Sequence, residues 1–125
     1  MLGNKEAVAT IAVKDLSVAR KFYEGTLGLK VLDAQGSEAV TYQSGSSKVI
    51  VYRSQFAGTN QATIANWLVG SDIDAIVQGL ADRGVRFEHY DLPGLTRQGD
   101  LHVVGAFKTA WFKDPDGNII SLMSF

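Results

Sequence analysis

The chain alternates apolar runs with short polar breaks, and the order of the runs predicts its secondary structure. In the first half, Ala7–Val13 is an apolar run typical of a buried strand. Asp15 then occupies a position suited to an N-cap, apolar residues recur at helical spacing as far as Leu27, and Gly28 follows as a C-cap. Three shorter runs with strand character complete this half, namely Lys30–Leu32, Ala39–Gln43 and Lys48–Arg53.

The second half repeats this order of elements after a polar linker, Ser54–Gln61. Ala62–Val69 is predicted to be a strand, and Ser71 or Asp72 to cap a helix whose apolar stripe ends before Gly84. The internal repeat therefore predicts a strand, a helix and three strands in each half. The later strands of the second half are predicted at Val85–Tyr90, Val103–Phe112 and Ile119–Phe125, with the last two forming a hairpin.

The turn of that hairpin is predicted at the five residues from Asp114 to Asn118, which have the sequence Asp-Pro-Asp-Gly-Asn. Pro115 restricts φ, the two aspartates can accept hydrogen bonds from nearby amides, and Gly117 supplies a positive φ. Ser121 follows in the returning strand. A hydroxyl at that position can bind an organic ligand, but it is a poor ligand for a divalent metal.

Composition narrows the class of protein. The chain has 125 residues, 46% of them hydrophobic and 20% charged, with a net charge of −1, which predicts one globular domain over residues 1–125. No basic run is interleaved with aromatics, and no apolar run approaches the roughly 18 residues of a membrane span. The absence of cysteine excludes disulfides, thiolate zinc sites and cysteine nucleophiles. We therefore expect a cytoplasmic protein with no nucleic-acid or membrane partner.

The repeat, the segment from Asp15 to Gly28 and the turn from Asp114 to Asn118 together resemble the vicinal-oxygen-chelate superfamily. This group includes glyoxalase I, bleomycin- and fosfomycin-resistance proteins and extradiol dioxygenases. The resemblance covers nearly the whole chain and implies an α+β fold. Two βαβββ modules, at about residues 7–54 and 62–125, would form curved mixed sheets around a cleft, commonly within a homodimer. Function stays open, because one fold supports several chemistries.

Metal-dependent members of this superfamily take their ligands from the first and last strands of each module. Four positions of this chain match those ligand positions. The match in the first strand of the second module is Ala65, with an uncertainty of one residue that would substitute Ile64 or Asn66. None of the matching residues is a histidine or a carboxylate, whereas catalytic zinc normally needs about three protein ligands. We therefore expect no metal and no other cofactor, and metal-dependent glyoxalase or dioxygenase activity is disfavoured. The four matching positions are Val8, the strand Lys48–Tyr52, Ala65 and Ser121.

Strand alternation predicts which side chains would line the cleft. The lining is apolar and aromatic with a few hydroxyls, as expected for a small planar or amphipathic organic ligand. Trp67, on the face of Ala65, is equally compatible with a position in the core or at a dimer interface. Trp111 is also compatible with a purely structural role in packing. Ser121 and Thr10 are also compatible with a role as small residues that let the sheet curve. The candidate ligand-binding residues are Thr10, Tyr52, Trp67, His102, Trp111, Ser121 and Met123.

Three functions fit these observations. The leading hypothesis is a metal-free protein that binds a small organic molecule, as bleomycin-resistance-type sequestering proteins do. The second is a lyase or isomerase with relocated acid–base or metal chemistry at His89 and His102, or with Tyr52 as acid or base. The two histidines are also compatible with plain positions on the rim of a loop. In the third, the domain mainly makes protein contacts and its cleft is vestigial.

Overall fold

The computed structural model describes residues 1–124, so the predicted strand position of Phe125 lies outside the described residues. The chain divides into two compact units, the first spanning Met1–Gly58 and the second beginning at Thr59. Each unit contains one β-sheet with a helix on one face. This is the α+β architecture, with one module per unit, that the sequence predicts.

The first unit has the predicted order of strand, helix and three strands. Its sheet has the order β1-β4-β3-β2, in which β1 is parallel to β4 and the other pairs are antiparallel. Its elements are β1 (Ala9–Val13), α1 (Leu16–Arg20), a π-helical segment (Lys21–Thr26), β2 (Lys30–Gln35), β3 (Ala39–Ser44) and β4 (Ser47–Arg53).

The helix of the first unit begins as predicted but changes its winding. The Asp15 carboxylate accepts hydrogen bonds from the amides of Ser17 at 2.9 Å and Val18 at 3.2 Å, which confirms the N-cap. The predicted single helix to Leu27 is α-helical only to Arg20 and π-helical afterwards. The wider turn accompanies burial of Tyr23, whose ring stacks on that of Tyr42 at 6.4 Å.

The second unit has more strands than the repeat predicts. Its sheet has the order β5-β10-β9-β8-β7, with β5 parallel to β10 and with β6 also paired to β9. Its elements are β5 (Thr63–Leu68), a 3₁₀ turn (Gly70–Asp72), α2 (Ile73–Asp82), β6 (Phe87–Glu88), β7 (Thr96–Gln98), β8 (Leu101–Val104), β9 (Phe107–Lys113) and β10 (Ile119–Ser124).

The additional strands come from a reversal that the sequence pattern did not predict. The predicted strand Val103–Phe112 is in fact two strands, β8 and β9, joined at Gly105, whose φ of +57° permits a tight turn. The predicted loop before them contains β7, and the predicted strand Val85–Tyr90 is shortened to β6. The prediction of a single strand was wrong here because an apolar run does not reveal where the chain turns.

The core of the second unit lies between α2 and one face of its sheet. The apolar stripe of α2 is buried at Ile73, Val77 and Leu80, as predicted. The closing hairpin is also confirmed, because Asp114 Oδ1 accepts hydrogen bonds from the amides of Asp116 and Asn118, each at 2.9 Å. The side chains that face α2 from the last two strands are Ala110, Phe112, Ile120 and Leu122, and all are buried.

Within residues 1–124, no helix is long and apolar enough to cross a bilayer.

Candidate functional site

Strand pairing sorts the residues of the second sheet onto two faces. The ion pair of 3.1 Å between Lys108 of β9 and Asp74 of α2 identifies the face that the helix covers. Side chains alternate along a strand, so the neighbours of Lys108 on β9 point to the opposite side, which we call the helix-free face. Cross-strand pairing adds residues of the adjacent strands to it, so that this face carries Asn66, His102, Thr109, Trp111, Ser121 and Met123.

The helix-free face brings together four of the predicted ligand-binding residues. Ser121 pairs directly with Trp111, and His102 and Met123 both pair with Thr109. These side chains therefore come from three adjacent strands and occupy neighbouring positions on one side of the sheet. Their shared surface is the candidate site of the second unit.

Trp67 lies on the opposite face. It pairs with Leu122, and Ala65 pairs with Ile120, so both residues of β5 share the side that α2 covers. A register shift between Ile119 and Ile120 sets this alignment. The sequence left Ala65, Ile64 and Asn66 open at this position of β5, and the residue beside Ser121 is Asn66.

Thr10 and Tyr52 belong to the first unit and share the helix-free face of its own sheet. Thr10 pairs with Ile50, and Ala12 pairs with Tyr52, so the two candidates sit on adjacent strands two positions apart. Both are exposed, and the Thr10 hydroxyl donates a 3.4 Å hydrogen bond to the carbonyl of Val8. Within this unit they form a polar, solvent-facing surface rather than an enclosed lining.

His102 is one of the most deeply buried polar side chains of the candidate site, together with Thr109 and Ser121. It is 1% exposed, and its Nε2 accepts a 3.0 Å hydrogen bond from the amide of Tyr90. Burial lowers the pKa of His102 below its usual range, and the charge of nearby His89 acts in the same direction. Hydrogen bonds with the backbone of Tyr90 and Thr109 raise the pKa of His102, but by less than burial lowers it. The imidazole is therefore neutral at neutral pH.

Two aromatic rings flank this imidazole. The ring of Trp111 meets that of His102 edge to face, with centroids 4.9 Å apart, and the Tyr90 centroid lies 6.4 Å from that of His102. Tyr90 and Trp111 also contact each other at 5.2 Å. Both are only partly buried, so this aromatic cluster runs from solvent to a buried polar group.

Two buried polar atoms of the site have no partner. His102 Nδ1 and Thr109 Oγ1 make no hydrogen bond of normal geometry to any of residues 1–124. Their residues are directly paired across β8 and β9, and both side chains are 1% exposed. Native proteins satisfy the large majority of such groups.

Ser121 and Trp111 are held by neighbouring side chains of β5. The Ser121 hydroxyl donates a hydrogen bond to the side-chain carbonyl of Asn66. The indole N–H of Trp111 donates one of 3.2 Å to the hydroxyl of Thr63. These contacts fix the orientation of the two residues on the sheet.

A second polar group lies close to the aromatic cluster. His89 Nε2 lies 2.8 Å from Asp100 Oδ1, and both side chains are about one-third exposed, at 38% each. The His89 ring is 6.5 Å from that of His102. The carboxylate therefore orients a partly exposed imidazole.

The first unit contains a pocket of about 700 Å³ beside the start of α1. Its cationic lining residues include Arg20 and Arg53, but Arg20 is paired with Glu24 at 2.6 Å and Arg53 with Glu38 at 3.1 Å. Both arginines are thus engaged in ion pairs with glutamates of the same unit.

Sequence reasoning did not single out Thr109 or Tyr90, and it named Asn66 only as an alternative register at one metal-ligand position. One signal was available for Thr109, a polar residue two positions before Trp111 in a strand otherwise rich in apolar residues. Tyr90 follows a two-residue strand in an irregular segment, and Asn66 depends on a register shift. Neither of those placements follows from periodicity.

The chain thus consists of two modules, each with one helix and one mixed sheet, and the second sheet has a polar and aromatic helix-free face. This architecture defines a class of paired-module α+β proteins. The family model of the Glyoxalase/Bleomycin resistance protein/Dioxygenase superfamily matches residues 7–122, and the chain belongs to this superfamily. The resemblance drawn from the sequence is thereby confirmed.

Solved structures show the same fold at low sequence identity. Lactoylglutathione lyase from Agrobacterium tumefaciens has a TM-score of 0.74 and 14% identity, covering 99% of this chain and 96% of that one. A glyoxalase/bleomycin resistance protein/dioxygenase from Alicyclobacillus acidocaldarius has a TM-score of 0.72 and 18% identity, with coverages of 98% and 92%. A fosfomycin resistance protein from Mesorhizobium loti has a TM-score of 0.70 and 16% identity, with coverages of 100% and 94%. A comparison with curated proteins found no match.

Proposed function

We propose that this protein binds a small organic molecule on the helix-free face of its second sheet, without the metal ion used by many superfamily members. The observation that carries the proposal is the position of His102, Trp111, Ser121 and Met123 on one face of that sheet. An aromatic surface with a few polar groups suits a planar ligand, which gains affinity from apolar burial and ring contacts.

The donor set does not fit the metal that the superfamily implies. Ser121 stands where metal-dependent members carry a glutamate, and its hydroxyl is engaged with the Asn66 carbonyl. Among residues 1–124, no three His, Cys, Asp or Glu side chains are grouped so that they could hold a metal ion. A neutral hydroxyl and an amide are weak ligands for zinc. We therefore derive no step that requires a metal.

The binding proposal is tested by NMR titration of uniformly ¹⁵N-labelled protein with small aromatic probes, starting with acetophenone. We expect saturable shift changes at Tyr90, Trp111 and Met123, and a loss of at least fivefold in affinity in Trp111→Ala. Trp67→Ala is the matched control, because it removes an indole from the helix-covered face and is expected to leave the affinity unchanged. Shift changes confined to other regions, or none at all, would contradict the proposal.

The metal-free part of the proposal has its own measurement. Protein purified without chelator is expected to contain far less than one equivalent of any divalent ion by inductively coupled plasma mass spectrometry. Addition of Zn²⁺, Mn²⁺ or Ni²⁺ is expected to leave its melting temperature unchanged, since a ligand selective for the native state would raise it. A stoichiometric ion that is lost in His102→Asn would overturn this part.

Acid–base catalysis is the second candidate, favoured by the contact between His89 and Asp100. A carboxylate that orients an imidazole is the arrangement expected of a general base, and a lyase or isomerase needs one. The test is exchange of an acidic α-hydrogen of acetophenone with deuterated solvent, followed by NMR. Catalysed exchange that is lost in His89→Gln and reduced in Asp100→Asn would favour an enzyme, whereas exchange at the uncatalysed rate would favour a binding protein.

A further inference from the structure

The pocket of the first unit brings together positive charge from separate parts of the chain. Its volume is about 700 Å³, and its walls come from the end of β1, the start of α1, the turn between β2 and β3, and the end of β4. A cavity of this size can enclose most of a small organic molecule. The charged side chains of its lining are Lys14, Arg20, Arg53 and Asp15, an excess of two positive charges.

The one carboxylate of the lining is already engaged at the start of α1. Asp15 Oδ1 accepts hydrogen bonds from the amides of Ser17 and Val18 and one of 2.7 Å from the Ser17 hydroxyl. The two glutamates that pair with the arginines, Glu24 and Glu38, are not part of the lining. A ligand in the pocket therefore meets mainly cationic and hydroxyl groups.

Both arginines keep donors that their glutamates do not use. Arg20 donates to Glu24 through Nε at 2.6 Å and through Nη2 at 3.4 Å, and Arg53 donates to Glu38 only through Nη2. A guanidinium carries five N–H groups. Within residues 1–124, Nη1 of Arg20 and both Nε and Nη1 of Arg53 thus make no hydrogen bond. The Tyr42 hydroxyl also donates to Glu24, at 2.8 Å, which holds the carboxylate that positions Arg20.

The second ion pair is easily exchanged for a ligand. The side chains of Arg53 and Glu38 are 56% and 63% exposed, and their nitrogen and oxygen lie 3.1 Å apart. Ion pairs this exposed contribute little to stability. Arg53 can therefore turn to an anion in the pocket at small cost, while Arg20 stays in place.

The lining also indicates the kind of anion. Two guanidinium groups, an ammonium group and the Ser37 hydroxyl suit an anion that has several acceptor oxygens and more than one negative charge, as a phosphate monoester has. No side chain of the lining is aromatic, so it offers no ring on which a nucleobase could stack. The volume exceeds that of a phosphate group alone and leaves room for a small polar body.

We propose that this pocket binds a phosphate monoester of a sugar or polyol, with the phosphate held by Arg20, Arg53 and Lys14. The site belongs to the first unit and does not rest on the proposed function of the second sheet.

The test is an NMR titration of uniformly ¹⁵N-labelled protein with glycerol 3-phosphate, with glycerol and inorganic phosphate as reference probes. We expect saturable shift changes at the amides of Ser17, Arg20 and Ser37. Glycerol 3-phosphate should bind at least about tenfold more tightly than glycerol, because only the ester forms charge-assisted hydrogen bonds. It should also bind about threefold more tightly than inorganic phosphate, and its affinity should fall as salt is added.

Matched variants assign the binding to Arg53. Arg53→Gln should weaken the binding of glycerol 3-phosphate about tenfold. Lys30→Gln is the control, because it makes the same change of charge in the same unit, at the opposite end of β2 from the pocket. Glu38→Gln should strengthen binding about twofold, since it removes the carboxylate that competes for Arg53. A merely structural role of Arg53 would not produce that gain.

The outcomes distinguish this proposal from a general effect of charge. Equal affinity for glycerol and glycerol 3-phosphate, or shift changes confined to other regions, would overturn it. Equal losses in Arg53→Gln and Lys30→Gln would also overturn it, because net charge alone would then explain the binding. Equal affinity for inorganic phosphate would overturn the assignment to an organic ester. Acetophenone binding is measured separately, so either proposal can fail without the other.

Discussion

At the scale of the residue, the most informative feature is the contact between Ser121 and Asn66. The superfamily resemblance aligns Ser121 with a position where metal-dependent members carry a glutamate, and the serine hydroxyl donates to a neighbouring amide side chain. The hydroxyl thus has a partner within the sheet. His102 Nδ1 and Thr109 Oγ1, on the same face, make no hydrogen bond of normal geometry within residues 1–124.

Trp67 carries the first prediction at this scale. Because Trp67 is partly buried on the side of the sheet that α2 covers, Trp67→Ala should lower the free energy of unfolding by about 1–3 kcal/mol, less than for a fully buried tryptophan. Urea denaturation measures this change. A variant with wild-type stability but weakened probe binding would return Trp67 to the ligand-binding set.

The second residue-scale prediction concerns the pH dependence of stability. The pKa of His102 is lowered in the folded protein, chiefly by burial, so the unfolded chain binds the proton more tightly. Stability is therefore unaffected above the unfolded pKa of about 6.5 and falls as the pH drops below it. At pH 5 the loss reaches at most about 2 kcal/mol.

Denaturation at pH 7 and pH 5 checks this dependence. The decrease should be largely absent in His102→Asn, which cannot be protonated, and should persist in the control His89→Gln. The carboxylates of Asp15 and Glu24 also have lowered pKa values, through hydrogen bonds from Ser17 and Arg20, but they titrate below this window. An equal decrease in all three proteins would assign the effect to other groups.

At the scale of the element, the two helices begin differently although both follow an aspartate. Asp15 accepts two backbone hydrogen bonds at the start of α1, whereas Asp72 makes no capping side-chain bond at the start of α2, where a 3₁₀ turn intervenes. Sequence reasoning predicted Asp15 as the cap of the first helix and either Ser71 or Asp72 as the cap of the second. Gly70 has a φ of +57° before α2, and Asp72 has φ of −82° and ψ of 1°, outside the extended region typical of an N-cap residue.

The difference in capping predicts that alanine substitution of the two aspartates has unequal effects on stability. Asp15→Ala should destabilise the protein by about 1 kcal/mol, because two amides at the start of α1 lose their acceptor. Asp72→Ala should change stability by no more than about 0.5 kcal/mol. Thermal denaturation of both variants measures the contrast, and equal effects would show that the two helices are capped alike.

At the scale of the whole molecule, we expect a homodimer, as the superfamily resemblance implies. Leu68, on the edge strand β5, is 71% exposed, and an exposed apolar edge favours association with another chain. Sedimentation velocity should give a dimer at micromolar concentration, and Leu68→Lys should shift it towards monomer. Leu92→Lys, in a loop of the same unit, is the control. A monomeric wild type would contradict the expectation.

Much of the molecule follows from local sequence. The first strand, the Asp15 cap, the buried stripe of α2 and the Asp114 turn all depend on residues close together in the chain, and the structure confirms each. The superfamily follows too, since the order and spacing of these elements repeat in both halves. These features share a physical cause, because periodicity and turn chemistry act over a few residues.

The candidate site depends on what only the tertiary structure decides. The reversal at Gly105 creates the strand that carries His102 opposite Thr109, and a register shift beside Ile119 places Asn66 rather than Ala65 next to Ser121. A shift of one residue moves a side chain to the other face of a sheet, and no local pattern fixes it. The sequence alone thus determined the fold and the superfamily, while long-range strand pairing decided which side chains meet.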